Sequence, residues 1–265
     1  MSVLNKQYLE QEEQIQALSE KWRDTLENQT LTNEEEYSKV DVFPIIPQIQ
    51  LQVDLSDYQG FILELFTLLE ENQPGLAGDI AKLKEVLTMD VLGQWFQEGI
   101  AVNHLFFEEF AKNANVKDWL PMFAAEHGVR PFLQKAAAEL NEILKEAKAH
   151  HGCPACGEPS RLAVISKTGK KEITCPRCSY SWEEKKISCA HCGCEEPGKI
   201  EILRVEKDDR AEVHVCHECK GYTKVIDTRK LIRKDAPQLL DSKFIHLDYI
   251  AQEHGYGVSE GKDVH

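Results

Sequence analysis

The chain has 265 residues, 42% of them hydrophobic, and a formal net charge of −14. Its length allows one or two domains with a proper core, and no apolar run approaches the ~18 residues of a membrane-spanning helix. The start, MSVLNKQYLEQEEQ, has neither an apolar leader core nor a twin arginine, so a protein that stays in the cytoplasm is expected.

The first 152 residues lack cysteine and read as helical. Leu4, Tyr8, Ile15, Leu18, Trp22 and Leu26 recur at spacings of an amphipathic helix. Residues 42–54 hold two prolines and read as an extended connector. Ser56 is positioned to cap a helix through FILELFTLLEE, which Asn72-Gln73-Pro74-Gly75 stops. Residues 76–89 predict another helix. Residues 90–112 predict a longer one, with Trp95, Phe96, Ile100, His104, Phe107 and Phe110 among its buried candidates. Residues 116–149 predict the rest of a bundle of about five or six helices, broken or kinked near Gly128 to Pro131. His104 and His127 read as core or surface residues. Gly152 reads as a helix stop and domain boundary.

Eight of the nine cysteines then form four C-x-x-C knuckles: Cys153/Cys156, Cys175/Cys178, Cys189/Cys192 and Cys216/Cys219. Eighteen residues separate Cys156 from Cys175, and 23 separate Cys192 from Cys216. That spacing suits two zinc-ribbon or rubredoxin-like modules, in which two tight turns bring four thiolates to one metal. In a reducing compartment paired cysteines favour metal over disulfides. Four thiolates at tetrahedral angles suit zinc or iron, so two tetrahedral metal ions are expected. Sequential grouping would place Cys153, Cys156, Cys175 and Cys178 on one metal, with Cys189, Cys192, Cys216 and Cys219 on the other. A cross-brace sharing the first and third knuckles is the alternative. Cys194 is either a spare thiol or a replacement for Cys192. His191, His214 and His217 read as exposed strand or turn residues. Lys170, Lys171, Lys185 and Lys186 read as a solvated face, or as partial compensation for the charge of the sites.

Between the knuckles, 161–166, 170–175, 199–205 and 211–216 carry strand-like sequence, with turns at 167–170 and 206–210. Each half closes with an aromatic past its second knuckle, Trp182 or Tyr222, which would cover the thiolates, serve a small core, or both. After Pro237, Leu239, Leu240, Phe244, Leu247 and Ile250 predict the apolar face of a C-terminal helix, and 258–265 reads as a loose end. The expected fold is a multidomain α plus small-β chain. Its parts are a helical domain (1–149), two four-cysteine modules (150–187 and 188–235), and a C-terminal helix and tail (236–265).

Charge bears on function. Residues 1–149 hold 12 Lys and Arg against 26 Asp and Glu, and residues 150–235 hold 17 against 14. The acidic front repels phosphate backbones, and the cysteine region falls short of a nucleic-acid footprint. No nucleophile elbow, P-loop, HExxH or dinucleotide fingerprint is present.

The order of motifs resembles the formate dehydrogenase accessory protein FdhE family over roughly residues 149–258. The matching phrases are Cys153-Pro154-Ala155-Cys156-Gly157, Ile173-Thr174-Cys175-Pro176-Arg177-Cys178, Cys189-Ala190-His191-Cys192 and Cys216-His217-Glu218-Cys219-Lys220-Gly221-Tyr222. Asp241, Leu247, Asp248 and Glu253-His254-Gly255-Tyr256-Gly257 complete them. Cys194 is a departure. The resemblance implies a non-enzymatic cytoplasmic maturation factor, with the catalytic subunit of a molybdenum- or tungsten-dependent formate dehydrogenase as partner. A zinc-ribbon nucleic-acid binder and a rubredoxin-like electron carrier are the alternatives.

Overall fold

The computed structural model describes residues 6–147, 152–205 and 208–257. Leu4, the 148–151 stretch before the expected boundary, the tip of the 206–210 turn and the 258–265 tail lie outside them. The chain divides into two compact units. One is Glu10–Asn141; the other takes in the described residues from 142 onward and residues 6–9.

The first unit is helical: α1 (Lys6–Thr25), α2 (Glu34–Tyr37), α3 (Leu55–Asn72), α4 (Ala77–Val86), α5 (Met89–Ala101), α6 (His104–Ala114) and α7 (Trp119–Glu139), followed by the short α8 (Asn141–Leu144). Its core is built on α3, α5 and α7. Tyr58, Phe96 and Phe132 meet edge to face, with centroids 5.2–6.2 Å apart, the arrangement the ring quadrupole favours. Gly128 sets how closely α7 approaches α3, since a Cβ there would lie 2.6 Å from the Tyr58 ring.

Four local expectations change. Asp54, not Ser56, caps α3, accepting from the Ser56 amide at 2.9 Å. The connector is not simply extended: a 3₁₀ turn at Ile46–Gln48 follows, and Ile45 and Ile46 are buried. The helix expected over 90–112 is two helices, because Val102 takes a left-handed conformation (φ 54°) and the Asn103 side chain caps α6. Conversely, α7 runs unbroken through Gly128 and Pro131. The proline removes one amide donor, but the helix is buried on most sides and packing holds it.

The second unit is one six-stranded sheet: β1 (Leu162–Ile165), β2 (Lys171–Thr174), β3 (Ser181–Glu184), β4 (Ile200–Val205), β5 (Asp208–Cys216) and β6 (Tyr222–Asp227), ordered β3-β2-β1-β6-β5-β4. Each half of the cysteine region gives an antiparallel three-stranded meander, and the halves join through parallel pairing of β1 with β6. The third strands, β3 and β6, occupy the segments where the sequence suggests only a closing aromatic. One sheet face packs against α9 (Pro237–Lys243) and α10 (His246–Glu253), two helices where one was expected. Leu162, Val213, Val215, Tyr222 and Ile226 meet Leu240, Phe244, Leu247 and Ala251 there. Leu239 is also buried and Ile250 half-buried. Ala163, Ile173, Ala190 and Val225, with Trp182, form a smaller cluster apart from it.

Candidate metal centres

All four knuckles share one backbone design. The residue after the second cysteine sends its amide back to the carbonyl of the first: Gly157 to Cys153, Ser179 to Cys175, Gly193 to Cys189 and Lys220 to Cys216, at 2.8–3.0 Å. Each of these four residues has positive φ, 84°, 60°, 70° and 58°. Glycine adopts that conformation at no steric cost, but Ser179 and Lys220 adopt it too. The first cysteine's amide then binds the carbonyl five residues on, closing the loop at 2.7–3.0 Å. Some amides turn toward sulfur, as Cys178 does to Cys175 Sγ, His191 to Cys189 Sγ and Gly221 to Cys219 Sγ, each at 3.4 Å.

The strands carry the knuckles into two groups. β2 delivers Cys175/Cys178 to Cys153/Cys156, and β5 delivers Cys216/Cys219 to Cys189/Cys192. Within each group the sulfurs lie within 4.8 Å of one another. The short separations are 3.5 Å (Cys153–Cys178) and 3.6 Å (Cys156–Cys175) in the first site, 3.5 Å (Cys189–Cys219) and 3.8 Å (Cys192–Cys216) in the second. A disulfide needs ~2.05 Å. Four sulfurs ~2.3 Å from one central ion sit ~3.8 Å apart at tetrahedral angles. The grouping is sequential, not cross-braced, and Cys194 belongs to neither group.

The electrostatics of the sulfurs fit a cation. In the first site burial pushes the Cys175 and Cys178 thiols up, and the neighbouring Cys153 and Cys156 push them further. Hydrogen bonds from Cys153, Cys175 and Cys178 hold Cys156 well down. In the second site burial raises Cys189, and raises Cys219 to about 11. Burial pushes Cys216 up, but amide donors from Cys219 and Glu218, together with hydrogen bonds from Cys189 and Cys192, bring it down overall. A divalent ion at the centre is what allows four thiolates. Each group can therefore hold a metal ion, and the donor set fits zinc and iron alike.

The surroundings differ. All four cysteines of the first site are buried, whereas in the second Cys192 is half-buried and Cys219 exposed. Tyr180 lies near the first site's sulfurs, and Trp182, which belongs to the smaller core cluster, stacks on it at 5.9 Å. Tyr222 faces the C-terminal helices instead: its hydroxyl donates to Asp248 at 2.7 Å.

The second site borrows its cover from distant segments. His191 Nε2 meets the Tyr222 carbonyl at 2.7 Å. Tyr256 Oη meets His217 Nδ1 at 2.9 Å, the Gly257 amide donates to the Lys220 carbonyl at 2.7 Å, and Lys220 Nζ lies over the Tyr256 ring. The phrase Glu253-His254-Gly255-Tyr256-Gly257 thus ends on the fourth knuckle. Asp241 and Asp248 hold the fully buried Lys224 at 2.6 and 2.7 Å, fixing α9 and α10 to β6.

Several polar residues sit otherwise than their sequence suggested. His214 is buried, with Nε2 on Glu212 at 2.9 Å. Lys171 is buried too, its ammonium 3.3 Å from the Ser188 carbonyl beside Cys189, and burial lowers its pKa. Lys170 and Lys185 pair on the surface with Glu183 and Glu195.

No protein-family model matches the chain. The protein FdhE homolog of Aquifex aeolicus is 24% identical over 217 residues, covering 78% of this chain and 70% of its own. The FdhE homolog of Shewanella sp. MR-4 is 24% identical over 191 residues, 70% of this chain and 60% of its own. The chain is thus similar to FdhE homologs over most of its length. The crystal structure of the FdhE protein from Pseudomonas aeruginosa has the same fold, with a TM-score of 0.59 at 19% identity over 93% of this chain and 91% of that one. The FdhE alignments extend well beyond the cysteine region into the helical unit. Among the described residues no helix is long and apolar enough to cross a membrane.

Proposed function

We propose that the protein is a cytoplasmic maturation factor that binds the catalytic subunit of a molybdenum- or tungsten-dependent formate dehydrogenase and assists its assembly. Similarity to the FdhE homologs over most of the chain is the observation that carries this reading. In the same proposal the eight knuckle cysteines are the ligands of two metal ions, zinc or iron. The helical stretch (1–149), the two cysteine modules (150–187 and 188–235) and the C-terminal segment (236–265) are its working parts.

Site chemistry supports a non-enzymatic role. Four thiolates fill a tetrahedral ion's coordination, leaving no position for substrate or water. The metal's contribution is to hold strands and knuckles together, with structural zinc worth roughly 10–16 kcal/mol in small modules. The chain's own residues then shape the surface: the Lys224–Asp241–Asp248 cluster and the Tyr256–His217 contact set α9 and α10 on the sheet.

The test is anaerobic isolation of the tagged protein from its native host, with co-purifying proteins identified and metal measured in the same sample. Enrichment of a formate dehydrogenase catalytic subunit is the expected result. Enrichment of RNA polymerase, ribosomes or nucleic acid, with no dehydrogenase where one is expressed, would overturn the reading.

A further inference from the structure

The helical unit carries a cleft of about 530 Å³ between α6 and α7. Its surface combines two chemistries. Trp119 and Phe123 pack edge to face at 5.5 Å, and Trp119 is 44% exposed. Leu105, next to the cleft residue His104, is 77% exposed, so apolar surface continues past the rim. The rim is acidic. Glu108 and Asp118 are exposed and have no ion-pair partner among the described residues, while the arginine lining the cleft, Arg130, is held by Glu126 at 2.7 Å.

A second observation is independent of that charge. His127 lines the cleft, is more than nine-tenths buried, and has no hydrogen-bond partner among the described residues. Burial, then the neighbouring Arg130, holds its pKa down near 3, so the ring is neutral. A neutral imidazole offers one donor and one acceptor, and this ring lines the cleft. A ligand with a polar group at that depth would satisfy it.

We propose that this cleft docks a basic peptide segment of a partner protein. An arginine or lysine side chain lies between Glu108 and Asp118 and over the Trp119 ring, and a neighbouring apolar side chain lies against Phe123. Carboxylates beside an aromatic face are the combination that holds an organic cation. A metal ion fits less well: among the described residues, the groups bringing three or more ligand atoms within 4.8 Å are the two cysteine sites. The excess of 26 acidic over 12 basic residues before position 150 would draw a cationic segment from a distance. The docking mode does not rest on which protein supplies the segment, so it stands or falls separately from the dehydrogenase assignment.

The test uses the full chain and fluorescence anisotropy of a labelled synthetic peptide alternating arginine with leucine. Peptides with glutamine or glutamate replacing arginine are the comparators. The arginine peptide should bind and the other two should not. The double variant Glu108→Gln/Asp118→Asn should weaken binding about tenfold, as should Trp119→Ala, each step equivalent to about 1.4 kcal/mol. Glu34→Gln/Glu35→Gln, which removes the same charge from α2, should change it less than about twofold by screening at physiological salt. Three results would overturn the proposal: no binding of the arginine peptide, equal binding of the glutamine peptide, or equal weakening by the α2 and cleft variants.

Discussion

The two cysteine sites are built from the same knuckle and enclosed in opposite ways. Their backbone loops superpose in pattern, amide for amide, and their short sulfur separations fall in one narrow range, 3.5–3.8 Å. Yet the first site is buried on all four cysteines, and the second leaves Cys219 exposed. The first is sealed by neighbours in its own half, Tyr180 and Trp182. The second is covered by residues from elsewhere in the chain, Tyr256 and Gly257. Ligand geometry is thus local, and enclosure is a tertiary property. Equal coordination does not mean equal permanence, because water and competing ligands reach a metal only through what surrounds it.

The largest effect should come from breaking the sealed site. Cys175→Ser removes a buried ligand from a meander with little other core, so β1–β3 should unfold, with a loss on the scale of ~10 kcal/mol of metal-coupled folding. Metal content should fall from two equivalents toward one, while far-UV circular dichroism retains most of the helical signal of α1–α7. Unchanged metal content would remove Cys175 from the ligand set.

A smaller effect should follow from loosening the borrowed cover. Gly257 has φ +72°, and a Cβ there would lie 2.3 Å from the Tyr222 ring. Gly257→Ala should therefore cost about 1–3 kcal/mol in strain and lift the segment from the fourth knuckle. Alkylation of Cys219, followed by mass spectrometry, should speed up while the first site's cysteines stay protected. Equal protection in variant and parent would separate the C-terminal segment from the second site.

The smallest effect concerns charge. The Lys171 ammonium, on a strand of the first half, lies beside Cys189 of the second site. Lys171→Met keeps the volume and removes the cation, so metal affinity at the second site should fall about tenfold, ~1.4 kcal/mol. The first site should be unaffected. A competition titration with a chromogenic chelator reads both sites, and parallel weakening would make the effect one of general stability.

The contrast also marks what a sequence discloses. Cysteine spacing announced eight ligands in two sites and favoured sequential pairing over a cross-brace, because ligand geometry depends on a few adjacent residues. Helix periodicity placed α3, α4 and most of the apolar face of α9 and α10. What escaped was non-local or against propensity. Parallel pairing of β1 with β6 joins strands about 60 residues apart and leaves no mark in either. Tyr222-Thr-Lys-Val-Ile-Asp carries β-branched strand character, which its place directly after a knuckle obscures. Val102 holds a left-handed conformation that β-branched residues avoid, so α5 and α6 read as one helix. Pro131 looked like a break, yet tertiary packing keeps α7 intact. Lys171 and Lys224 look like surface lysines until the fold shows them buried.

Metal release under excess chelator, followed by absorbance on the fully loaded protein, tests the unequal enclosure most directly. Two equivalents should leave in two phases, and Cys219→Ser should abolish the fast phase while leaving the slow one. A single phase for both equivalents, or loss of the slow phase in Cys219→Ser, would contradict the account.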